Sequence, residues 1–250
     1  MAEAVLRLEN LCKAFGALRV TDDLTLEVRP SELHAVIGPN GAGKTTLINQ
    51  ISGLIAPDAG TIRFAGREIT ALPAHARAAL GLARSFQVSS VLPGFSALEN
   101  VALAVQSRAG SSFRVLGRAA TEETLNAPAM AALADVGLAE RAHVTAGYLA
   151  HGEKRALELA IALAMEPKLL LLDEPMAGTG REETARLVEV LRRLKGRFPM
   201  VLVEHDMTAV FALADRISVL IYGRILASGM PAEVRTDPRV VAAYLGDEME

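Results

Sequence analysis

Residues 38–45 combine glycines, a lysine and a threonine at a spacing that can hold phosphate groups. The run consists of Gly38, Pro39, Asn40, Gly41, Ala42, Gly43, Lys44 and Thr45, and Thr46 follows it. An apolar stretch precedes it and an apolar-periodic stretch follows it, which predicts a strand, a glycine-rich turn and a helix. Backbone N–H groups at such a helix start converge on an anion, and the helix dipole favours negative charge there. The sequence therefore predicts a P-loop for a nucleotide, in which Lys44 reaches the terminal phosphates and Thr45 is placed for Mg²⁺.

Two acids follow a run of four leucines at residues 169–172. Such a run predicts a strand buried on both faces, and its carboxyl end lies at the sheet edge where α/β folds bind ligands. Asp173 is a candidate Mg²⁺ ligand, and Glu174 is a candidate general base for an attacking water. The alternative is a strand that ends in ordinary solvated acids, and the complete P-loop elsewhere in the chain favours the catalytic interpretation.

Composition excludes several classes of protein. The 250 residues carry a formal net charge of −3 and only 4% aromatic residues, so we expect no nucleic-acid partner. A single cysteine, Cys12, excludes an internal disulfide and fits a reducing compartment. No apolar run reaches the ~20 residues that a membrane span needs, and the N-terminus has no secretory signal pattern.

The hydrophobic pattern predicts a mostly parallel sheet with helices on both faces. Predicted strands lie at residues 5–8, 24–28, 33–37, 61–64, 82–85, 169–172, 200–203 and 217–221. Predicted helices lie at residues 47–54, 73–80, 97–105, 122–136, 153–165, 182–195 and 207–213. Helical patterns dominate from about residue 89 to residue 165, so this region is predicted to be an inserted helical sub-domain.

Five further segments, in order, resemble the ATP-binding subunit of an ABC transporter. They are Phe15 before the P-loop, Gln87, a signature loop at residues 149–153, a D-loop at residues 177–180 and a switch-histidine segment at residues 203–206. The resemblance covers nearly the whole chain. It implies a P-loop ATPase core with an N-terminal antiparallel β sub-domain and the inserted helical sub-domain. We expect the core at 1–88 and 166–222, the helical sub-domain at 89–165 and a C-terminal extension at 223–250.

The resemblance also implies a role for each matching side chain. Phe15 would stack on adenine, and the alternative is that its side chain belongs to the core. Gln87 would contact Mg²⁺ or the attacking water, and His205 would contact the γ-phosphate. With Lys44 and Glu174, these residues form the expected catalytic set, and the expected ligands are ATP and Mg²⁺.

The signature loop departs from the usual pattern. The usual serine is Ala150 and the usual glutamine is Glu153. In the family this loop contacts the γ-phosphate bound to an opposing subunit, and Ala150 has no hydroxyl group to donate. Gly152 and the helix start at Glu153 still offer backbone N–H groups, so we expect a weaker contact across the dimer. Gly180 likewise stands where many relatives carry an acid.

Several shorter segments are similar to the ATPases of branched-chain amino-acid importers. They lie at residues 93–101, 204–207, 215–217, 222–224, 227–229 and 243–246. The implied partners are a second, identical or paralogous ATPase subunit, transmembrane permeases and, indirectly, a periplasmic solute-binding protein. The implied location is the cytoplasmic face of the bacterial inner membrane. Apolar residues at Val88, Val91, Leu92 and Phe95 are expected either to receive a permease helix or to be core. The alternatives are urea or amide import, lipid or polysaccharide export, and a weakly active nucleotide-binding module.

Overall fold

Short strands and helices alternate along the chain. The structure, a computed structural model, describes residues 3–85, 91–109 and 123–245. Its strands are β1 (Leu6–Phe15), β2 (Leu18–Val28), β3 (Leu33–Ile37), β4 (Ala59–Phe64), β5 (Arg67–Glu68), β6 (Leu82–Ser85), β7 (Leu169–Asp173), β8 (Met200–Val203), β9 (Arg216–Ile221) and β10 (Arg224–Gly229). Its helices are α1 (Lys44–Ser52), α2 (Ala74–Ala79), α3 (Ala97–Arg108), α4 (Glu123–Asp135), α5 (His151–Ala164), α6 (Arg181–Leu194), α7 (Met207–Leu213), α8 (Pro231–Thr236) and α9 (Pro238–Val240).

The N-terminal strands form an antiparallel sheet with the order β2-β1-β4-β5. Leu6 of β1 lies opposite Val28 of β2 on one side and Phe64 of β4 on the other, and all three side chains are buried. Buried and more exposed side chains alternate at the start of β1, as expected for a sheet that is covered on one face. The predicted antiparallel sub-domain is therefore confirmed, and β1 and β2 are longer than the sequence pattern indicated.

The central sheet has the order β10-β9-β3-β8-β7-β6. β3 pairs in parallel with β8 and β9, and β8 pairs in parallel with β7. Every residue of β3, β7 and β8 is buried, which explains why these strands are continuous apolar runs without alternation. The carboxyl ends of parallel strands meet at one edge of a sheet. The residues that follow β3, β7 and β8 therefore lie at a common edge.

The C-terminal region adds elements that the hydrophobic pattern did not predict. β10 pairs antiparallel with β9 through a tight turn, in which Tyr222 and Gly223 have φ values of +47° and +79°. The Gly223 N–H donates to the carbonyl oxygen of Ala42 at 2.9 Å, and the Asp22 N–H donates to the carbonyl oxygen of Gly223 at 2.9 Å. The turn therefore joins the P-loop to β2.

The predicted helices agree with the structure to within a few residues at their ends. Helix α7 has the predicted bounds, and α1 starts at Lys44 because the glycine-rich turn itself ends at Gly43. Among the described residues, no helix combines the length and apolar character that crossing a bilayer requires.

The chain divides into two compact units. Of the described residues, unit 1 comprises those in Met1–Leu82, Lys168–Glu174 and Lys195–Glu250, and unit 2 comprises those in Ala83–Pro167 and Pro175–Leu194. Within unit 2, helices α3, α4 and α5 pack against one another. The sub-domain boundaries expected at residues 88, 165 and 222 stay a prediction.

Candidate nucleotide-binding site

The P-loop connects β3 to α1, and two of its glycines approach neighbouring strands too closely for a side chain. Gly38 has a φ of +151° and Gly43 a φ of +108°. A Cβ at Gly38 would clash with the backbone oxygen of Leu220, and a Cβ at Gly43 would clash with the backbone oxygen of Val20. Glycine is therefore required at both positions by the packing of unit 1, in addition to the room that it leaves for phosphate.

Lys44 is the first residue of α1, and its ammonium group lies back over the loop. Its Nζ donates to the carbonyl oxygen of Gly38 at 2.5 Å and to that of Pro39 at 3.1 Å. The side chain is only 6% exposed. Thr45 is exposed at the start of the helix, and Thr46 is half-buried. A phosphate entering the loop offers Lys44 a charged acceptor, which makes a stronger hydrogen bond than a neutral carbonyl oxygen does.

Asp173 and Glu174 stand at the carboxyl end of β7. Asp173 is 3% exposed and lies opposite Val203 of β8. Glu174 has a φ of +47°, a conformation that costs a non-glycine residue about 1–3 kcal/mol. Its N–H donates to the carbonyl oxygen of Val203 at 2.8 Å, which helps to hold the residue in this conformation. Such backbone strain is concentrated at functional sites in proteins.

His205 follows β8, and buried Glu204 anchors its backbone. One carboxylate oxygen of Glu204 accepts from the N–H of His205 at 2.9 Å and from the N–H of Asp206 at 3.4 Å. The imidazole is 58% exposed, and its Nδ1 lies 3.5 Å from the same oxygen. Asp206 in turn caps α7 by accepting from the N–H of Ala209 at 3.0 Å. The anchoring role of Glu204 was missed from the sequence, although an acid directly after four apolar strand residues was a usable signal.

These elements meet around a cleft of about 540 Å³ in unit 1. The cleft is lined by Gly38, Pro39, Asn40, Glu174, His205, Ala243 and Tyr244. A glycine loop, a carboxylate and an imidazole around one cleft form a set that can bind phosphate and activate water. The two C-terminal residues were not predicted as part of the site, because only the fold of the C-terminal segment brings them to the P-loop.

Phe15 ends β1 and is 51% exposed, so its ring does not belong to the core. The ammonium group of Lys13 lies 5.6 Å from the centre of the ring, within the range of a cation–π contact. The ring therefore has an accessible surface, as a stacking platform requires, and adenine stacking stays a prediction.

The signature loop belongs to unit 2 and leads into α5. Ala150 is the N-cap of α5 and is exposed, and Glu153 accepts from its N–H at 2.9 Å. Glu153 also accepts from Nε of Arg141 at 3.0 Å, so an arginine partly neutralises this acid. Gly152 donates its N–H to Glu183 at 3.2 Å. Glu183 was not identified from the sequence, since α6 carries several acids and only tertiary contacts distinguish them.

Other predicted residues are only partly described. Gln87 and Val88 lie outside the residues that the structure describes. Leu92 and Phe95 are exposed and Val91 is half-buried, so the first two are not core residues.

In the described part of the chain, no cluster of three His, Cys, Asp or Glu residues is arranged to hold a metal by itself. Mg²⁺ in nucleotide sites takes few protein ligands and several from phosphate and water, so Thr45 and Asp173 have the right oxygen chemistry for it.

Comparisons with known proteins extend this picture. Residues 21–177 match the family described as "ABC transporter", and residues 224–250 match one described as "Branched-chain amino acid ATP-binding cassette transporter". The high-affinity branched-chain amino acid transport ATP-binding protein LivG of Salmonella typhimurium is 37% identical over 255 residues, covering 99% of this chain and 100% of LivG. BraF of Pseudomonas aeruginosa, with the same description, is 35% identical over 254 residues, covering 99% of this chain and 100% of BraF. A crystal structure of the ADP conformation of MJ1267, an ATP-binding cassette of an ABC transporter, has a TM-score of 0.86 and 29% identity, covering 98% of this chain and 100% of that one.

Proposed function

The chain belongs to the ABC transporter family of ATP-binding proteins, and from this membership we propose that it powers the import of branched-chain amino acids. It is an ATPase whose hydrolysis is coupled to transport. The observation that carries the proposal is the cleft in unit 1, where the P-loop, Glu174 and His205 meet. The solute is inferred from the match of residues 224–250 and from LivG and BraF.

Binding of ATP uses the P-loop and the end of β1. The backbone N–H groups that follow Gly38 and the amino end of α1 receive the phosphates, and Lys44 leaves its two carbonyl acceptors to pair with them. Phe15 offers its exposed ring to the adenine. Thr45 and Asp173 would hold Mg²⁺, which would neutralise negative charge on the phosphates when bound.

Hydrolysis requires a base and a group that senses the γ-phosphate. Glu174 accepts a proton from the attacking water, and a base in this role contributes about 10²–10⁴ in rate. His205 contacts the γ-phosphate from the loop that Glu204 anchors. Gln87 completes the proposed set as a contact to Mg²⁺ or to the water. Glu174 lines the cleft from a backbone conformation that the hydrogen bond from its N–H to Val203 supports.

We place the chain in an assembly with a second ATPase subunit, identical or paralogous. ATP in the unit 1 cleft of one subunit would contact the signature loop of the other, through the N–H groups at Gly152 and Glu153. Nucleotide contacts made only in the closed dimer favour closure, and loss of the γ-phosphate reverses it. Permease subunits, a periplasmic solute-binding protein and attachment at the cytoplasmic face of the inner membrane complete the proposal, with exposed Leu92 and Phe95 as candidate permease contacts.

Reconstitution tests this function directly. The purified chain is combined in proteoliposomes with the permeases and binding protein encoded beside its gene, and labelled leucine uptake is measured with and without ATP. We expect uptake that depends on ATP and is lost with Glu174→Gln. Uptake of labelled urea but not of leucine would overturn the assignment of branched-chain amino acids as the solute. Absence of ATP hydrolysis would overturn the whole proposal.

A further inference from the structure

Glu183 of α6 holds two separate loops of unit 2 through one carboxylate. Its Oε1 accepts a hydrogen bond from the N–H of Gly152 at 3.2 Å, and its Oε2 accepts one from the N–H of Gly180 at 3.3 Å. Gly152 lies in the signature loop and Gly180 lies in the D-loop. One side chain therefore joins the two loops within a single subunit.

The side chain of Glu183 also packs against the backbone of Gly152. A Cβ at position 152 would lie 2.8 Å from the carboxyl carbon of Glu183, 2.9 Å from its Cγ and 3.0 Å from its Cβ. These distances are too short for real atoms, so any larger residue would push Glu183 away. Within its own subunit, glycine at position 152 is thus what allows the carboxylate to reach the N–H group.

Two carboxylates already occupy the amino end of α5. Glu153 accepts from the N–H of Ala150 at 2.9 Å, and Glu183 accepts from the N–H of Gly152, the second residue of the helix. Ala150 has no side-chain oxygen with which to cap the helix. Negative charge is favourable at a helix start. The two acids therefore supply, from within the subunit, the charge that a bound phosphate would supply.

We infer that Glu183 is a positioning residue that occupies, in the free subunit, the N–H group that would otherwise meet the γ-phosphate of the opposing subunit. The inference rests on the proposed function, since this phosphate reaches Gly152 only in an ATP-bound dimer. To donate to the phosphate, the N–H of Gly152 must leave Glu183, and carboxylate and phosphate repel each other. Glu183 therefore opposes ATP-driven dimerisation.

The test measures the ATP concentration at half-maximal dimerisation, by analytical ultracentrifugation of the full chain. All proteins carry Glu174→Gln so that ATP persists. Glu183→Gln removes the charge and keeps the size of the side chain, and it should lower this concentration about fivefold, a modest coupling between two sites. Glu182→Gln is the matched control, because Glu182 is the neighbouring acid on α6, is 91% exposed and pairs with Arg186 on the helix surface. It should leave the concentration unchanged.

A second variant and a second measurement separate competition from simple structural support. In Glu183→Gln, the NH₂ group of the glutamine faces the N–H of Gly152 or that of Gly180, which is an unfavourable contact between two donors. Glu183→Ala avoids this contact, and it should also lower the ATP concentration at half-maximal dimerisation. Thermal unfolding of the monomer should occur at lower temperature in both variants, because the bridge is lost. If Glu183 only supported the fold and did not compete with the phosphate, both variants would unfold at lower temperature and would also dimerise more weakly.

The outcomes distinguish this inference from the function on which it rests. A half-maximal concentration that is unchanged or higher in both Glu183 variants overturns the inference, while ATP-driven dimerisation of the parent upholds the proposed function. A parent that does not bind ATP overturns both. A parent that binds ATP without self-dimerising overturns the inference for the homodimer and leaves the proposed function standing with a paralogous partner.

Discussion

Replacing Glu174 by glutamine should separate ATP binding from ATP hydrolysis. The backbone of Glu174 is held by the hydrogen bond from its N–H to Val203, and glutamine keeps the size of the side chain, so the cleft should keep its shape. Gly38, Pro39 and Asn40 line the cleft beside Glu174 and are untouched. The amide cannot accept the proton of the attacking water. Turnover should therefore fall by about 10²–10⁴, the range for loss of a general base.

The assay pairs steady-state phosphate release with equilibrium binding of ATP to the same preparations. Glu166→Gln is a suitable control, because Glu166 also has a positive φ, of +49°, and undergoes the same loss of charge. Glu166 lies outside the cleft and pairs with Arg108 at 2.5 Å. Its variant should match the parent in both binding and turnover.

Two results would refute the reasoning in different ways. Turnover of Glu174→Gln within about threefold of the parent would show that Glu174 is not the base, since even a weak general base contributes more. A loss of ATP affinity equal to the loss of turnover would show that Glu174 supports the shape of the cleft and not the proton transfer.

Other substitutions test the phosphate contacts, the signature loop and a buried histidine. Lys44→Ala should abolish tight ATP binding in equilibrium dialysis, because the loop loses its ammonium group; unchanged affinity would contradict the site. Ala150→Ser should modestly raise ATP-dependent dimerisation in size-exclusion chromatography, since a hydroxyl donor returns; an unchanged dimer population would mean that the backbone amides suffice. Burial, and then the charge of Arg216, lowers the pKa of His34 from 6.5 to about 4. Between about pH 4 and pH 6.5 the unfolded chain therefore binds a proton at His34, whereas the folded chain does not. The contribution of His34 to the free energy of unfolding is complete above about pH 6.5, and about 3 kcal/mol of it is lost as the pH drops to about 4. Urea unfolding across this range should detect the loss, and an equally steep loss in His34→Gln would assign it to another group.

The parts of the site that depend on neighbours in sequence could be predicted from the sequence. The P-loop is a strand, a turn and a helix in direct succession, so the types and spacing of residues 38–45 were sufficient. Four leucines before Asp173 likewise indicated a buried strand with acids at its end. The switch histidine and the signature loop were located by resemblance, and the full-length relatives support that family assignment.

Contacts between residues distant in sequence were decided only by the tertiary structure. Glu204 anchors His205 because the residue that follows β8 is fully buried beside it, and Tyr244 reaches the cleft because the C-terminal segment lies beside the P-loop within unit 1. Glu183 and Glu182 look alike in the sequence, yet only Glu183 reaches Gly152 and Gly180. A local pattern specifies which backbone groups need partners, whereas packing of separate elements decides which side chain is close enough to supply them.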